Sequence, residues 1–434
     1  ITDADGRFTN SGLPAGSYLV VVRKGAFGEK RAAVSLVTDG TQMVSMTLEV
    51  APLTDAASVT ASRGEVETVG MTGQPVNVIT EEEIRNRAKV VVAQAVEGEA
   101  GVALQRTSPT MAGVFIRGLV GNKVNVFVDG VRYSNGAQRG GVNTFLDLVD
   151  AGSLESIEIL RGPSSDQYGS DALGGTIQFL SKVPVLNTAS APRIGGQIDV
   201  SAGTAHKNGG GSALVAFNGP SLGVVGFVSG RHVGLLRPGG GYDSHAAVTR
   251  FLGIRSDVLM DDRLPNTGFH QNGESLRVNW TPDRDSRLGV SYVRTDQDGG
   301  DRYDQLLGGD GNLISELNDL SLDLFSLRFE RLTLGPFQHA SINYAVNSQR
   351  EERVNQGGQG SSTATIGHEP ERTTVHNVSG SVFRQASTRT SFTVGADLQF
   401  EKLTSDSFNS NPVTGAESVR RPRVPNGAAF RQGG

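Results

Sequence analysis

The chain of 434 residues contains no cysteine, no long apolar run and no large excess of either charge. The lack of cysteine excludes a disulfide scaffold, a thiolate zinc site and a cysteine nucleophile. No segment approaches the roughly 18 consecutive apolar residues of a membrane-spanning helix, so a helical membrane protein is excluded. A net charge of −5 with both signs interspersed argues against nucleic acid as the main partner. A β-barrel stays open, because its sequence signal is alternation rather than a run.

Glycine is abundant instead. The 57 glycines are nearly twice the usual share of about 7%. They have no collagen period, so they indicate many turns and kinked strands. The chain begins with Ile1 rather than methionine and shows no signal peptide. We therefore expect the chain to be cut at its start, so that a missing targeting signal means nothing.

The first segment, residues 1–53, reads as short strands and turns. Its TDADGRF stretch carries an Asp-Gly turn signal, and glycine and proline recur in SGLPAGS. The stretches YLVVVRK and TQMVSMTLEV are typical of strands. The segment is predicted to be a small β-sandwich that lacks its opening strands.

The second segment, residues 64–185, mixes helix and strand. PVNVIT reads as a strand, and Thr80 with Glu83 forms a capping box that starts a short helix through Arg87. AKVVVAQAVEGEAGV is predicted to be another short helix, ending before Gly101. VFIRG, KVNVFVDGVRY and SIEILRG read as strands that end at or near glycine. The segment is thus an α/β globule with too many glycines for a regular doubly wound fold.

The third segment, residues 186–434, consists of repeated alternation. In residues 275–280 the apolar Leu, Val and Trp alternate with Ser, Arg and Asn, and residues 392–401 alternate in the same way. Nine strands are predicted, several of them 9 to 14 residues long. Strands of soluble sheets average only about 5–6 residues, whereas a strand that crosses a bilayer needs about 9–11. The nine strands lie near 194–202, 211–219, 223–233, 275–280, 286–295, 322–332, 338–348, 372–385 and 392–401.

The connections between these strands alternate between short and long. Short ones fall at 219–223, 281–286, 333–337 and 386–390, and most of the others are long, polar and rich in glycine. This is typical of an outer-membrane barrel, whereas a soluble sandwich has no reason to lengthen every second loop. The predicted fold class is mainly β, with an incomplete transmembrane antiparallel barrel behind the α/β globule and the small sandwich. Nine strands cannot close such a barrel without leaving an unpaired edge in lipid, so we expect a fragment at both ends.

Several motifs occur together in the second segment. IEILRGPSSDQYGSDALGGTI occupies residues 157–177, after VFIRG at 114–118 and VNVFVDGVRY at 124–133. In these motifs and their order, residues 57–185 resemble the plug domain of TonB-dependent outer-membrane receptors. The strand-rich remainder fits the barrel of that family loosely. Residues 1–53 are similar to the carboxypeptidase regulatory-like domain that some of these receptors carry.

The resemblance implies four parts with different roles. They are a regulatory-like domain at 1–53, a linker with the TonB box at 54–63, the plug at 64–185, and the first part of the barrel at 186–434. It also implies a barrel of about 22 strands in the bacterial outer membrane, with the plug closing its lumen and the N-terminal parts in the periplasm. A scarce ligand would bind outside, and the plug would rearrange when the TonB protein pulls from below.

The best match to the TonB box precedes Arg63. A flexible, β-prone segment can add as a strand to the sheet edge of a partner through its backbone, so its exact sequence matters little. A plain linker between two domains would look almost the same. The predicted box residues are Ala57, Ser58, Val59, Thr60, Ala61 and Ser62.

Two arginines of the plug stand beside a glycine at a strand end, Arg117 and Arg161. By analogy with the family, we predict that they form ion pairs with inward carboxylates of the barrel wall. The alternation makes Glu330 and Glu401 the candidate partners. Guanidinium forks suit bidentate pairing, which would hold the plug and yet release it under force. The alternative is that both arginines are solvated or satisfied locally.

The outward apex of the plug supplies candidate ligand contacts. Tyr133, Gln138 and Arg139 are of the types that bind an anionic or aromatic iron chelate, although they also occur as ordinary loop residues. All seven histidines lie at position 206 or later, which disfavours a haem receptor that uses a plug histidine as axial ligand. No metal site and no bound cofactor are predicted.

The leading functional hypothesis is therefore an active importer and not an enzyme. No Ser/His/Asp motif, zinc signature or pair of carboxylates stands out as catalytic. In this family the ligand is most often a ferric siderophore, with haem, cobalamin, oligosaccharide or peptide as alternatives. A surface adhesin or ligand sensor with the same barrel is the competing class. The predicted partners are the TonB protein, the lipid of the outer membrane and a small ligand.

Overall fold

The chain divides into two compact units, Ile1–Ser58 and Val59–Gly434. In the first unit, strands β1 (Gly16–Val22) and β2 (Lys30–Leu36) pair antiparallel, with Gly16 opposite Leu36. The computed structural model describes residues 6–10, 12–14, 16–22, 30–37, 42–46, 58–62, 65–68, 75–87, 90–136, 140–186, 191–239, 263–306, 312–357, 361–387 and 390–433.

The second unit begins with the predicted plug, which we call the plug region (residues 64–185) together with the short strand before it. Its 3-10 turns are Val92–Val96, Gly121–Lys123, Phe145–Leu148 and Ala151–Ser153. Its strands and helices are β3 (Ser58–Ser62), β4 (Glu65–Thr68), β5 (Val76–Thr80), α1 (Glu81–Arg87), β6 (Val102–Ser108), β7 (Met111–Ile116), β8 (Val124–Val128), β9 (Val131–Arg132), β10 (Leu154–Arg161), α2 (Ser165–Tyr168) and β11 (Gly175–Ser181).

Five of these strands form one sheet in the order β5-β10-β11-β8-β9. Strands β8 and β11 run parallel, and β10 is antiparallel to both of its neighbours. The sheet buries Ile79, Ile157, Ile159 and Phe179 almost completely. Strands β6 and β7 form a separate hairpin against this core.

The start of α1 confirms the predicted capping box. The backbone N–H of Thr80 donates to Glu83 Oε2 at 2.9 Å, and the N–H of Glu83 donates back to Thr80 Oγ1 at 3.4 Å. The second predicted helix is reduced to the 3-10 turn Val92–Val96, which has almost no exposed residue. Its run of valines is buried on all sides, so periodicity gave no sign of its true length.

The glycines of the ALGG motif serve a close backbone approach. A Cβ on Gly175 would collide with the carbonyl oxygen of Leu160, across the β10–β11 pair. A Cβ on Gly174 would lie 3.0 Å from the Ile116 carbonyl oxygen. Only glycine lets β11 enter the sheet here.

The third segment forms one large antiparallel sheet, which we call the wall sheet. Its strands are β12 (Arg193–Gly203), β13 (Asn208–Asn218), β14 (Leu222–Val233), β15 (Phe269–Trp280), β16 (Ser286–Gly299), β17 (Ile314–Arg331), β18 (His339–Gln356), β19 (Ile366–Ser387), β20 (Thr390–Ser405), β21 (Phe408–Ser410), β22 (Glu417–Val419) and β23 (Ala429–Gly433). Each strand from β12 to β20 pairs with the next along the chain, and β23 pairs with β20. A 3-10 turn, Tyr303–Gln305, lies between β16 and β17.

All nine predicted strands are present, and the mainly β fold class is confirmed. The strands from β12 to β20 run from 11 to 22 residues, longer than expected. The reason is visible in β15, where His270, Asn272 and Glu274 make the outer face polar near one end. Both faces are polar there, so the alternation that marks a strand disappears. None of the helices within the described ranges has the length and apolarity to cross a membrane.

The two faces of the wall sheet differ in chemistry. Leu276 and Trp280 on the outer face of β15 are 51% and 47% exposed, while Arg277 between them is only 4% exposed. The inner face meets the plug region, and part of it belongs to the plug core. The wall residues in that core are Leu317, Leu320, Leu322, Leu324 and Ala345.

Candidate functional site

The interface between the plug region and the inner face of the wall sheet is built around buried ion pairs. On β14, Arg231 Nη2 lies 2.7 Å from Asp150 Oδ2 of the plug region, and Arg231 Nη1 donates to the Val90 carbonyl oxygen at 2.7 Å. The side chains of Arg231 and Asp150 are 19% and 7% exposed. One wall arginine thus binds two separate plug segments.

Asp150 is held ionised in this buried place. Burial opposes its ionisation, but the charge of Arg231 and hydrogen bonds from Ser229 and Gly152 outweigh burial and keep the pKa below its ordinary value. Ser229 Oγ donates to Asp150 Oδ2 at 2.7 Å, and the N–H of Gly152 donates to Oδ1 at 2.8 Å. The carboxylate is therefore saturated with donors from both sides of the interface.

A second pair lies on the neighbouring strand β15. Arg277 Nη2 is 3.0 Å from Asp129 Oδ2 and donates to Ser181 Oγ at 2.6 Å. Asp129 sits at the turn between β8 and β9 with a φ of +50°, and its Oδ1 accepts the N–H of Ser181 at 2.8 Å. The turn and the end of β11 are thus tied together and to the wall.

Asp147 is a third buried acid of the plug region. Its Oδ1 accepts the N–H of Ala93 at 3.2 Å, and its backbone carbonyl accepts a hydrogen bond from Gln271 of β15 at 2.8 Å. No described residue is a hydrogen-bond partner of Asp147 Oδ2. Burial raises the pKa of Asp147 to about 7, against the Ala93 N–H and the charges of Arg106 and Arg231.

Strands β18 to β20 meet the plug region differently, through amides and carboxylates that bind mainly its backbone. Gln349 and Asn347 donate to the carbonyl oxygen of Tyr133 at 2.9 and 3.0 Å. The N–H of Gly136 donates to Glu401 Oε2 at 2.9 Å. Two contacts between side chains join them, from Thr144 Oγ1 to Glu351 Oε2 at 2.7 Å and from Asn135 Nδ2 to Gln349 Oε1 at 2.8 Å.

A small cavity, which we call the apex pocket, lies among these contacts. Its volume of about 20 Å³ is close to what one water needs. Its arginines are already paired within the wall and its loop, Arg353 with Glu351 and Arg423 with Glu371 at 2.9 Å. The lining residues are Met111, Asn135, Asn143, Thr144, Phe145, Gln349, Glu351, Arg353, Glu371, Thr373 and Arg423.

Of the three predicted ligand contacts, Tyr133 lies within the described residues. Tyr133 is 1% exposed, and its hydroxyl donates to the Phe145 carbonyl oxygen. Its ring therefore belongs to the plug core, and only its backbone carbonyl reaches the wall. Gln138 and Arg139 lie outside the described residues.

The residues predicted to form ion pairs between plug and wall bind other partners in the structure. Arg161 Nη1 donates to the Ala100 carbonyl oxygen at 3.0 Å. Glu330 pairs with Arg328 at 2.7 Å, since residues two apart on a strand share one face.

Arg117 and Glu401 complete the predicted set. The N–H of Arg117 donates to the Gly101 carbonyl oxygen at 3.0 Å, and its guanidinium lies beside Gly162. Glu401 does face the plug region, but it accepts the N–H of Gly136 there. The two buried ion pairs described above, Arg231–Asp150 and Arg277–Asp129, place the arginine on the wall and the aspartate on the plug. The more exposed pair of Arg85 and Asp199, at 3.9 Å, has the arginine on the plug and the aspartate on the wall.

Four residues that carry the interface were not among the predicted sites: Asp129, Asp150, Arg231 and Arg277. A signal existed for two of them. Asp129 precedes Gly130 directly after a strand, and Arg277 is a charge on the polar face of an alternating strand. The sequence does not show which inward charge meets which plug residue.

The predicted TonB box lies largely in strand β3, Ser58–Ser62, which forms a two-stranded sheet with β4. Ala57 lies outside the described residues. The segment therefore has the β conformation that strand addition to a partner requires.

Comparison with known proteins gives matches over the plug region and over the fold. Residues 68–176 match the family described as TonB-dependent Receptor Plug Domain. The vitamin B12 transporter BtuB of Vibrio vulnificus is 31% identical over 179 residues, which are 40% of this chain and 27% of that relative.

Solved structures share the fold at low sequence identity. The copper transporter OprC has a TM-score of 0.61 at 14% identity, covering 82% of this chain and 51% of its own. The ferripyoverdine receptor of Pseudomonas aeruginosa has a TM-score of 0.61 at 13% identity, covering 83% of this chain and 47% of its own. The chain thus spans about half the length of these structures. Residues 68–176 thus match the plug-domain family, and the chain shares its fold with these two structures.

Proposed function

We propose that the chain is part of an active importer that binds a scarce ligand outside the cell and passes it inward when TonB moves the plug. The observation that carries this proposal is the polar interface between plug and wall. Buried ion pairs connect the plug to the wall without a covalent link, for example between Arg231 Nη2 and Asp150 Oδ2 at 2.7 Å. Removing one partner of such a pair is strongly destabilising, and no covalent bond has to break for the two partners to separate.

The proposed ligand is a ferric siderophore or another iron chelate. The relatives support a small, scarce ligand: their names include a vitamin B12 transporter, a copper transporter and a ferripyoverdine receptor. Haem, cobalamin, oligosaccharide and peptide are the other ligands to be tested. The surface around the apex pocket is the proposed place of first contact, because plug and wall residues meet there; the pocket itself has room for about one water.

The proposed membrane placement follows from the outer face of the wall sheet. Exposed apolar side chains such as Ile198, Val200 and Leu276 recur on alternate positions, as expected for strands that face lipid. The ferripyoverdine receptor with the same fold is named as a protein of the outer membrane. We place the long connections outside the cell, with the TonB box in the periplasm.

The proposed domain order follows the sequence prediction. Residues 1–53 form a carboxypeptidase regulatory-like domain, 54–63 the linker with the TonB box, 64–185 the plug and 186–434 the first part of the barrel. The β1–β2 hairpin is consistent with the first of these, and the plug match at 68–176 lies inside the third.

Uptake by cells tests this proposal. The probes are a ferric hydroxamate and a ferric catecholate with radioactive iron, haem, cyanocobalamin, an oligosaccharide and a peptide. We expect the Val59→Pro variant to lose uptake and keep binding, because proline removes an N–H from the segment that would pair with TonB. Val59→Ala keeps that N–H and is the matched control. Binding without uptake in the unchanged protein would instead favour the sensor or adhesin.

A further inference from the structure

Two plug segments lie side by side against β14 and β15, and we call them the anchor patch (residues 90–96 and 147–153). The two segments are joined by the Ala93 N–H, which donates to Asp147 Oδ1. The wall reaches the patch through Gln271 and Ser229, each of which binds one segment only. Arg231 is different, because its two terminal nitrogens bind both segments.

We infer that Arg231 is the positioning residue that clamps the plug in its closed place. Its guanidinium fork spans from the Val90 carbonyl oxygen to the Asp150 carboxylate, at 2.7 Å in each case. A planar fork with fixed N–H directions suits such a double contact. This inference rests on the proposed function, in which the plug must move.

Arg277 also contacts two plug residues, but through a single nitrogen, Nη2. Its plug partners Asp129 and Ser181 are already bonded to each other at 2.8 Å. It also donates to Ser275 of its own strand at 2.9 Å. Removing Arg277 leaves Asp129 and Ser181 bonded directly to each other. Removing Arg231 takes one wall contact away from each of the two segments of the anchor patch.

The anchor patch is also connected to the apex pocket along the chain. Thr144, three positions before Asp147, donates to Glu351 in the pocket wall. The turn Phe145–Leu148 connects the two sites directly along the chain. A ligand that displaces Thr144 therefore acts on the same segment that Arg231 holds.

The test compares hydrogen exchange in the purified protein with Arg231→Gln, Arg231→Lys and, as matched control, Arg277→Gln. The reporters are the N–H groups of Ala93 and Gly152, which donate to Asp147 and Asp150. In Arg231→Gln we expect both to exchange roughly tenfold faster or more, because local opening no longer breaks a charged contact. In Arg277→Gln both should exchange as in the unchanged protein. Arg231→Lys, a single point charge, should give a smaller rise at the same two groups.

A second readout separates a clamp from a merely structural residue. In cells without TonB, Arg231→Gln should admit a glycopeptide antibiotic that is too large for porins, and Arg277→Gln should not. Unchanged exchange at Ala93 and Gly152, an equal rise in Arg277→Gln, or faster exchange without antibiotic influx would each overturn the inference. If Arg231→Gln does not fold, Arg231→Lys decides by the same criteria. If the exchange and influx results are as expected but the unchanged protein imports none of the probes, the proposed function is rejected and the role of Arg231 stands.

Discussion

Two sides of the wall sheet, strands β14 and β15 on one side and strands β18 to β20 on the other, hold the plug in different ways. On β14 and β15, arginines bind plug aspartates, and Arg231 and Asp150 are 19% and 7% exposed. On β18 to β20, amides and carboxylates bind mostly the plug backbone, as Gln349 does at the Tyr133 carbonyl. A buried charge left without its partner is costly, whereas a neutral hydrogen bond contributes only about 0.5–1.5 kcal/mol. The first side is thus suited to holding and the second to contacts that a ligand can replace.

The largest expected effect breaks the arginine side. Asp150→Asn leaves the buried Arg231 guanidinium without a carboxylate and should lower the free energy of unfolding of the plug by about 3–5 kcal/mol. Asp319→Asn is the control, because the side chains of Asp319 and its partner Arg350 are 52% and 44% exposed. An exposed pair contributes only about 0–1 kcal/mol. Chemical denaturation followed by plug-specific hydrogen exchange measures both, and equal losses would remove the distinction between the two sides.

The next effect concerns pH and Asp147. Its pKa of about 7 in the folded protein lies above the ordinary aspartate value of 3.8, so the folded state binds the proton more tightly. Stability is therefore lost as pH rises from about 4 to 7, and the plug should be about 2–3 kcal/mol less stable at pH 8 than at pH 5. Asp150, with a lowered pKa, contributes stability that persists above pH 4 and disappears only in stronger acid.

The Asp147→Asn variant distinguishes the contribution of Asp147 to the pH dependence of stability from that of Asp150. The variant has no proton to lose, so the fall in stability between pH 5 and pH 8 should disappear. Denaturation at both pH values, with hydrogen exchange at Ala93 as the local reporter, measures it. A fall that persists in the variant would assign the pH dependence to another group.

The smallest effect sharpens the other side of the comparison. Thr144→Val keeps the shape of the side chain and removes its hydrogen bond to the Glu351 carboxylate. Because Glu351 keeps its pair with Arg353, the loss should be about 1.5 kcal/mol, the lower end for a bond to a charged group. Thr144→Ser keeps the hydroxyl and should restore most of it. The same denaturation experiment measures both variants. A loss as large as that of Asp150→Asn would show that the apex contacts also hold the plug.

Much of the fold was predictable because its signals are local. The capping box of Thr80 and Glu83 and the alternation of 275–280 involve residues that are close in the chain. Strand ends were missed where the outer face turns polar, as at His270 and Glu274. There the local pattern no longer differs between the two faces.

The interface was not predictable in the same way. Arg231 and Asp150 are distant in the chain, and their meeting depends on strand register and on how the plug is seated. Glu330 shows the opposite case, since Arg328 on the same strand face is a nearer partner than any plug arginine. Inward charges can be read from the sequence, but their partners follow from tertiary structure.

The central claim, that plug movement gates import, is tested most directly by a staple between plug and wall. The chain has no cysteine, and a Cβ on Gly152 would lie 3.2 Å from Ser212 Oγ of β13. That separation is close to the roughly 3 Å from Cβ to the partner sulfur in a disulfide. With Gly152→Cys and Ser212→Cys, the oxidised protein should bind the imported probe and not import it, and reduction should restore uptake. Equal uptake with the staple formed and reduced would contradict the account.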